Sequence, residues 1–236
     1  MLALTAALAG IAVAQDSVRQ TSSYMLTQER PNRPTGERFA FDYVNPDDSQ
    51  AKPPAVAEVV TVLPRGARYD TSVPGSCTAS DAELTAQGAA ACPLDSAIGG
   101  GVITVDTGVP GPGRIVTADT EFFNNAEDPD GEFIYLNTVR GTGARTVVRA
   151  DVTRRRTITT SPMLPGTPPD GGAIDTVDVD VAKVVRTVDG RRRGYITTPR
   201  RCRRGRWIAA VRFTYGDGVT QRAGTRNPCR RRGGRR

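Results

Sequence analysis

The stretch Arg206-Trp207-Ile208-Ala209-Ala210-Val211-Arg212-Phe213-Thr214-Tyr215-Gly216-Asp217-Gly218 decides how the chain is read. Trp207, Ala209, Val211, Phe213 and Tyr215 recur at every second position. Successive side chains of a strand point to opposite faces, so this run predicts a strand with one buried face. Asp217-Gly218 then supplies the two-residue turn favoured in hairpins. The same period recurs upstream. Thr146, Val148, Ala150 and Val152 alternate with Arg149 and Asp151. Val177, Val179 and Val181 alternate with Thr176, Asp178 and Asp180, and the phase breaks at Lys183, where a bulge or strand end is expected.

Further short runs (39–44, 56–63, 101–106, 115–123, 132–138 and 157–160) are separated by Pro, Gly, Asn and Asp clusters. One helix interrupts them. Ser80-Asp81-Ala82-Glu83 is a capping box and Gly88 is placed to end the helix, so a short helix is expected over 81–87. Eight to ten short strands predict an all-β fold, a single β-sandwich of immunoglobulin-like or jelly-roll-like type or an open barrel. The expected order is a polar, extended lead-in over 15–35, the β-domain over 36–229, and a basic, disordered tail over 230–236.

The first residues, an apolar run ending in Ala12-Val13-Ala14, have the A-x-A form of a signal-peptide cleavage site. The run is too short to span a bilayer and lacks the basic region that should precede it. The expectation is a signal peptide over 1–14 with its start missing, and a product that is extracellular, secreted or loosely held at the surface, with no transmembrane segment. The four cysteines, Cys77, Cys92, Cys202 and Cys229, agree with export. Three pairings are open, and proximity favours Cys77 with Cys92 and Cys202 with Cys229.

Histidine is absent, which excludes Ser-His-Asp, Cys-His and His-based zinc chemistry within this chain. Charge is uneven. Residues 1–150 carry 11 Lys+Arg against 18 Asp+Glu, whereas residues 151–236 carry 21 against 7, so any attraction to anions belongs to the C-terminal part.

Several segments carry a resemblance: Phe41-Asp42-Tyr43-Val44-Asn45-Pro46-Asp47, Leu63-Pro64-Arg65-Gly66-Ala67-Arg68, Cys77 through Leu84, Gly99 through Gly108, and Tyr195-Ile196-Thr197-Thr198-Pro199 with Cys202, Trp207 and Cys229. Together they resemble a group of secreted β-domain proteins from high-GC actinobacteria. The resemblance implies export and two near-neighbour disulfides, and it implies no activity. This chain departs from that group in the abundance of arginine in its last segment.

Candidate sites follow from particular residues. Asp106-Thr107-Gly108 ends a β-branched run, as the Asp-Thr-Gly of aspartic proteases does, but two such carboxyls must share a proton and one copy is present. A strand-end turn is the ordinary reading. Asp128, Asp130 and Glu132 offer three oxygens to calcium, which takes six to eight, and otherwise read as an acidic loop. Asp178 and Asp180 share a strand face, the arrangement of a glycosidase pair or of a solvent face. Ser49-Gln50-Ala51-Lys52 matches S-x-x-K, but Pro46, Pro53 and Pro54 exclude the helix that motif needs. Arg191, Arg192, Arg193, Arg201, Arg203, Arg204, Arg230 and Arg231 form a candidate polyanion-binding set. No aromatics interleave with them, so sequence-specific nucleic-acid recognition is not expected.

The function expected is a non-catalytic β-domain with a structural, adhesive or binding role at the cell surface or envelope. Its partner would be an envelope polymer or a surface protein. No cofactor is expected beyond the calcium candidate. The alternatives are a polyanion-binding module built on the arginine-rich C-terminal hairpin and tail, and a carboxylate-dependent hydrolase centred on Asp106.

Overall fold

The computed structural model describes residues 17–126, 131–168, 170–188 and 190–230. The signal-peptide expectation over 1–14, Asp128 and Asp130 of the calcium candidate, and the tail from Arg231 lie outside the described residues.

Strands β1 (Gln20–Leu26), β2 (Pro34–Thr35), β3 (Glu37–Tyr43), β4 (Val56–Val62) and β5 (Arg68–Tyr69) precede helix α1 (Asp81–Gln87). There follow β6 (Ala97–Asp106), β7 (Ile115–Asn125), β8 (Glu132–Val139), β9 (Arg145–Val152), β10 (Arg156–Thr160) and β11 (Ala173–Val181). The chain continues through β12 (Val185–Val188), β13 (Arg191–Gly194), β14 (Ile196–Thr197), β15 (Arg206–Tyr215) and β16 (Thr220–Pro228). The fold is all-β with one short α-helix among the described residues, as the alternation predicts.

Eleven of the strands form one antiparallel sheet in the order β1-β3-β11-β6-β7-β8-β9-β10-β4-β15-β16. The strand count alone was also compatible with two stacked sheets. The sheet instead curls until its first and last strands meet, giving a nearly closed barrel. Neighbours alternate in direction, so the first and eleventh strands run parallel at the seam. Side-chain amides of β16 stitch it. Asn227 Oδ1 accepts from the Leu26 amide at 2.6 Å and Asn227 Nδ2 donates to Tyr24 O at 3.2 Å. Gln221 does the same one end further along, accepting from the Arg19 amide at 3.1 Å and donating to Ser17 O at 2.9 Å. The stretch expected as a lead-in is thus a barrel strand, with Tyr24 and Leu26 buried.

Three successive glycines let β6 pack closely between its neighbours. A Cβ on Gly99, Gly100 or Gly101 would lie 2.0–2.4 Å from a carbonyl oxygen of a neighbouring strand, so only glycine fits at these positions. The β15–β16 hairpin closes through Gly216–Gly218, with the Tyr215 amide donating to Val219 O at 2.9 Å. The loop holds three residues rather than the expected two, with Gly218 at φ 86°, the left-handed position that such a loop requires. The phase break at Lys183 is a strand end, since β11 stops at Val181.

Inward residues of β1, β3 and β15 fill one side of the barrel. Phe213 meets the rings of Phe41 and Tyr43 edge-on at 5.3 and 5.9 Å. A second, smaller core lies outside the wall, where Phe123, Ile134 and Leu136 are covered by Leu84 and the Cys77–Cys92 disulfide. Helix α1 has the expected capping box, Ser80 N donating to Glu83 Oε2 at 2.8 Å. Arg149 holds it to the wall through Asp81 at 2.8 Å and Ala79 O at 2.8 Å. The barrel end where β3 begins is closed by the small sheet β2-β14-β5, which buries Tyr69, Tyr195 and Ile196. Cys202 pairs with Cys229 at the same end.

Replacing Asn227 with Ala leaves two buried backbone groups unpaired at the seam. Loss of roughly 2–4 kcal/mol of unfolding free energy is expected. Chemical denaturation should show a lower midpoint with an unchanged slope, and an unchanged midpoint would show that the seam is held otherwise.

Candidate functional site

The barrel is filled by side chains on the β15 side and hollow on the other. Between β3, β11, β6, β7, β8, β9, β10 and β4 lies a cavity of about 340 Å³. Strand parity builds its wall. Phe39 and Phe41, Ile103 and Val105, Ala118 and Phe122, Phe133 and Tyr135, and Val177 and Val179 all occupy inward positions of their strands. Phe122 and Tyr135 meet edge-on at 4.8 Å. Polar atoms are sparse. Thr61, Thr157, Thr159 and Asn137 line the cavity, and Tyr135 OH is 3.3 Å from Thr159 Oγ1. Thr120 Oγ1 is buried with no hydrogen-bond partner among the described residues. An apolar void well above 150 Å³ holds apolar guests readily and water poorly.

The cavity opens at the end where β3 finishes. Pro162, Leu164 and Pro165, in the loop after β10, overhang it. That loop is anchored. The Gly172 amide donates to Leu164 O at 2.8 Å, the Thr167 amide to Thr107 O at 2.8 Å, and Lys52 Nζ donates to Thr167 O at 3.3 Å and to Gly171 O. The lysine of the S-x-x-K match is therefore a loop tie. Val44, Val109, Ile115 and Met163 leave apolar side chains exposed at this end.

At the closed end a carboxyl is buried. Glu37, with no exposed surface, follows the inward parity of Phe39 and Phe41 and lies beneath the cavity. Tyr24 OH donates to it, and Tyr69 OH donates to both its oxygens at 2.9 and 3.0 Å. Burial pushes the Glu37 carboxyl up, the two phenol hydrogen bonds oppose this, and the net result is about 7. Burial and the neighbouring Glu37 hold both phenols well above the ordinary tyrosine range, so they remain donors. Tyr195 OH is also buried there, without a hydrogen-bond partner among the described residues.

The predicted site residues fare differently. Asp106 is buried and engaged by Arg114 Nη2 at 2.9 Å, Arg114 Nε at 3.1 Å and the Gly108 amide at 2.8 Å. Burial pushes its carboxyl up, but those bonds and the charges of Arg114 and Lys52 outweigh it and hold it below the usual range. Its contacts are those of an ionised loop anchor, and among the described residues of this chain no carboxyl is hydrogen-bonded to it. Asp178 and Asp180 project from the outer wall and pair with Arg38 at 3.0 and 3.9 Å, which identifies a water-facing surface. Glu132 accepts from Arg149 at 2.9 Å and Asn125 at 3.2 Å. Among the described residues no group of three or more acidic or sulfur ligands gathers. Arg191, Arg192 and Arg193 lie on the β12–β13 hairpin, with Arg193 4.0 Å from Asp70. Arg230 pairs with Glu29. Arg201 and Arg203 share a cleft with Arg33 and Arg200, and Arg204 adjoins it at φ 57°.

Sequence reasoning missed the cavity, Glu37 and Arg33. Period-2 parity marked the inward residues but not the strand order that arranges them around a void. Among the described residues no helix is long and apolar enough to cross a membrane. Comparison with protein-family models, curated proteins and solved structures finds no match.

Because the Glu37 carboxyl is raised from about 4.5 to about 7, it favours the folded state below pH 4.5 and that contribution is lost as pH rises through 7. The loss amounts to about 3 kcal/mol. Measured by denaturation, wild-type protein should lose this much relative to Glu37→Gln between pH 4.5 and 7.5. A difference that does not change with pH would place the carboxyl in ordinary solvent.

Proposed function

We propose that this chain is a secreted, non-catalytic binding domain that holds a small apolar molecule in the open end of its barrel. The observation that carries the reading is the 340 Å³ void walled by eight strands, seven of which contribute phenylalanine, valine or isoleucine. Its volume falls in the range of roughly 300–1,000 Å³ typical of small-molecule sites. An unfilled apolar interior forgoes packing energy, so a fold that keeps one carries a standing cost that a guest offsets. Few polar groups face inward, which favours a guest held by shape and apolar contact, with one polar group near Thr120 and Asn137. Asp106, the least poor of the catalytic candidates, is occupied by Arg114. The two disulfides support an oxidising compartment, and the exposed Met163, Val109 and Ile115 leave the mouth apolar to an arriving guest.

Titration with N-phenyl-1-naphthylamine, a neutral fluorophore, should give saturable one-to-one binding that changes little between 50 mM and 1 M salt. Ala118→Trp and Val148→Phe both fill the void. Each should abolish the signal, and at least one should keep the wild-type melting temperature. Binding that survives in a folded filled variant would place the fluorophore elsewhere and remove the proposal.

A further inference from the structure

We infer that the closed end of the barrel carries a second, independent site: a cleft of four arginines that binds a phosphate-bearing polyanion through its phosphates. Two loops build it. The loop between β1 and β2 brings Asn32 and Arg33, and the loop between β14 and β15 brings Arg200, Arg201, Cys202 and Arg203. They are far apart in sequence and stapled together by backbone and a buried threonine. The Asn32 amide donates to Pro199 O at 3.0 Å and the Thr198 amide to Arg33 O at 2.9 Å. Thr198 Oγ1 accepts from the Arg33 amide at 3.0 Å and donates to Arg30 O at 2.8 Å. Asn32 takes the left-handed conformation, φ 54°, that lets the chain turn into this arrangement. On the other side Trp207 Nε1 donates to Arg201 O at 2.8 Å, and Cys202 is bonded to Cys229.

None of these contacts uses a guanidinium. All four arginine side chains are exposed, and among the described residues none forms an ion pair. Of the acids at this end of the barrel, Glu29 is engaged by Arg230, Asp70 by Arg193, and Glu37 is buried against Tyr24 and Tyr69. Four like charges are thus held on fixed backbone without compensation, an arrangement that repels itself until an anion arrives. Guanidinium forks match phosphate oxygens in pairs, and fixed loops lower the ordering cost of binding. The large apolar side chains exposed on the described surface include no aromatic ring, so the cleft has no platform for stacking bases. The ligand chemistry is therefore a flexible chain of phosphates or phosphodiesters read through its charge. The cavity opens at the opposite end, so the two sites are separable.

The test uses the full chain and inorganic polyphosphate, with single-stranded DNA and poly-glutamate as comparators, across a salt gradient. Changing Arg33, Arg200, Arg201 and Arg203 to Gln should weaken polyphosphate binding about tenfold or more at 50 mM salt. The same change should lower the slope of log affinity against log salt by about 3. A charge-matched variant with Arg154, Arg156, Arg222 and Arg226 changed to Gln should bind within a few-fold of wild type. Both variants should keep the wild-type melting temperature and N-phenyl-1-naphthylamine affinity, which separates failure of this site from failure of the cavity. Equal loss in the charge-matched variant would reduce the effect to net charge and overturn the inference. So would poly-glutamate binding as well as polyphosphate, or DNA binding more tightly at equal phosphate.

Discussion

An antiparallel sheet of eleven strands ends in two edges that run the same way, and the disposal of those edges governs everything else in this molecule. Exposed edges offer unpaired amides and carbonyls to any other chain. Here they are turned against each other. Gln221 and Asn227 of β16 use both ends of their carboxamides to satisfy the backbone of β1 and of the residues just before it. A carboxamide both donates and accepts, so it can bridge parallel edges whose ladders are out of step. Once the seam is made, the inward face of every strand is removed from water together.

The interior that results is unevenly used. On the β15 side, Phe213 meets Phe41 and Tyr43 edge-on. Across from them, the meander from β6 to β10 mixes Phe122, Phe133 and Tyr135 with smaller inward residues, Ala118, Val148, Thr157 and Thr159 among them, and all of these line the void. The void is a consequence of side-chain volume on a wall whose circumference the strand number sets. Beneath it the buried Glu37 is tolerated because two phenols donate to it, and burial still leaves it far more readily protonated than a surface carboxylate.

The two ends of the barrel have opposite chemistry. The open end is rimmed by valine, isoleucine, methionine and proline, and among its charged groups Lys52 and Arg114 tie loops while Arg145, which lines the cavity, donates to Thr85 O and Ala86 O. The closed end gathers arginines whose loops are held by other atoms. Ion pairs elsewhere on the wall, such as Arg38 with Asp178 and Arg140 with Asp119, show what compensated charge looks like in this protein. Arg33, Arg200, Arg201 and Arg203 differ from those pairs in that two stapled loops gather them around one cleft.

Local signals were legible in the chain because local physics decides them. Alternation marked β15, β11 and β9, Ser80 and Glu83 marked the start of α1, and the near-neighbour cysteines paired as proximity favoured. Tyr24 and Leu26 were not recognised as core, since a polar edge strand carries only three buried side chains beyond the seam's reach of sequence pattern, Gln20 included. What the sequence by itself determined was the class of the fold, the buried face of each strong strand and the covalent staples. Each of these depends on residues within about thirty positions of one another. The single curled sheet, the cavity, the buried Glu37 and the meeting of Arg33 with Arg200 were decided only by tertiary structure. Each requires strand neighbours or loops far apart in the chain, and a period of two records which face a side chain takes but not what stands opposite it.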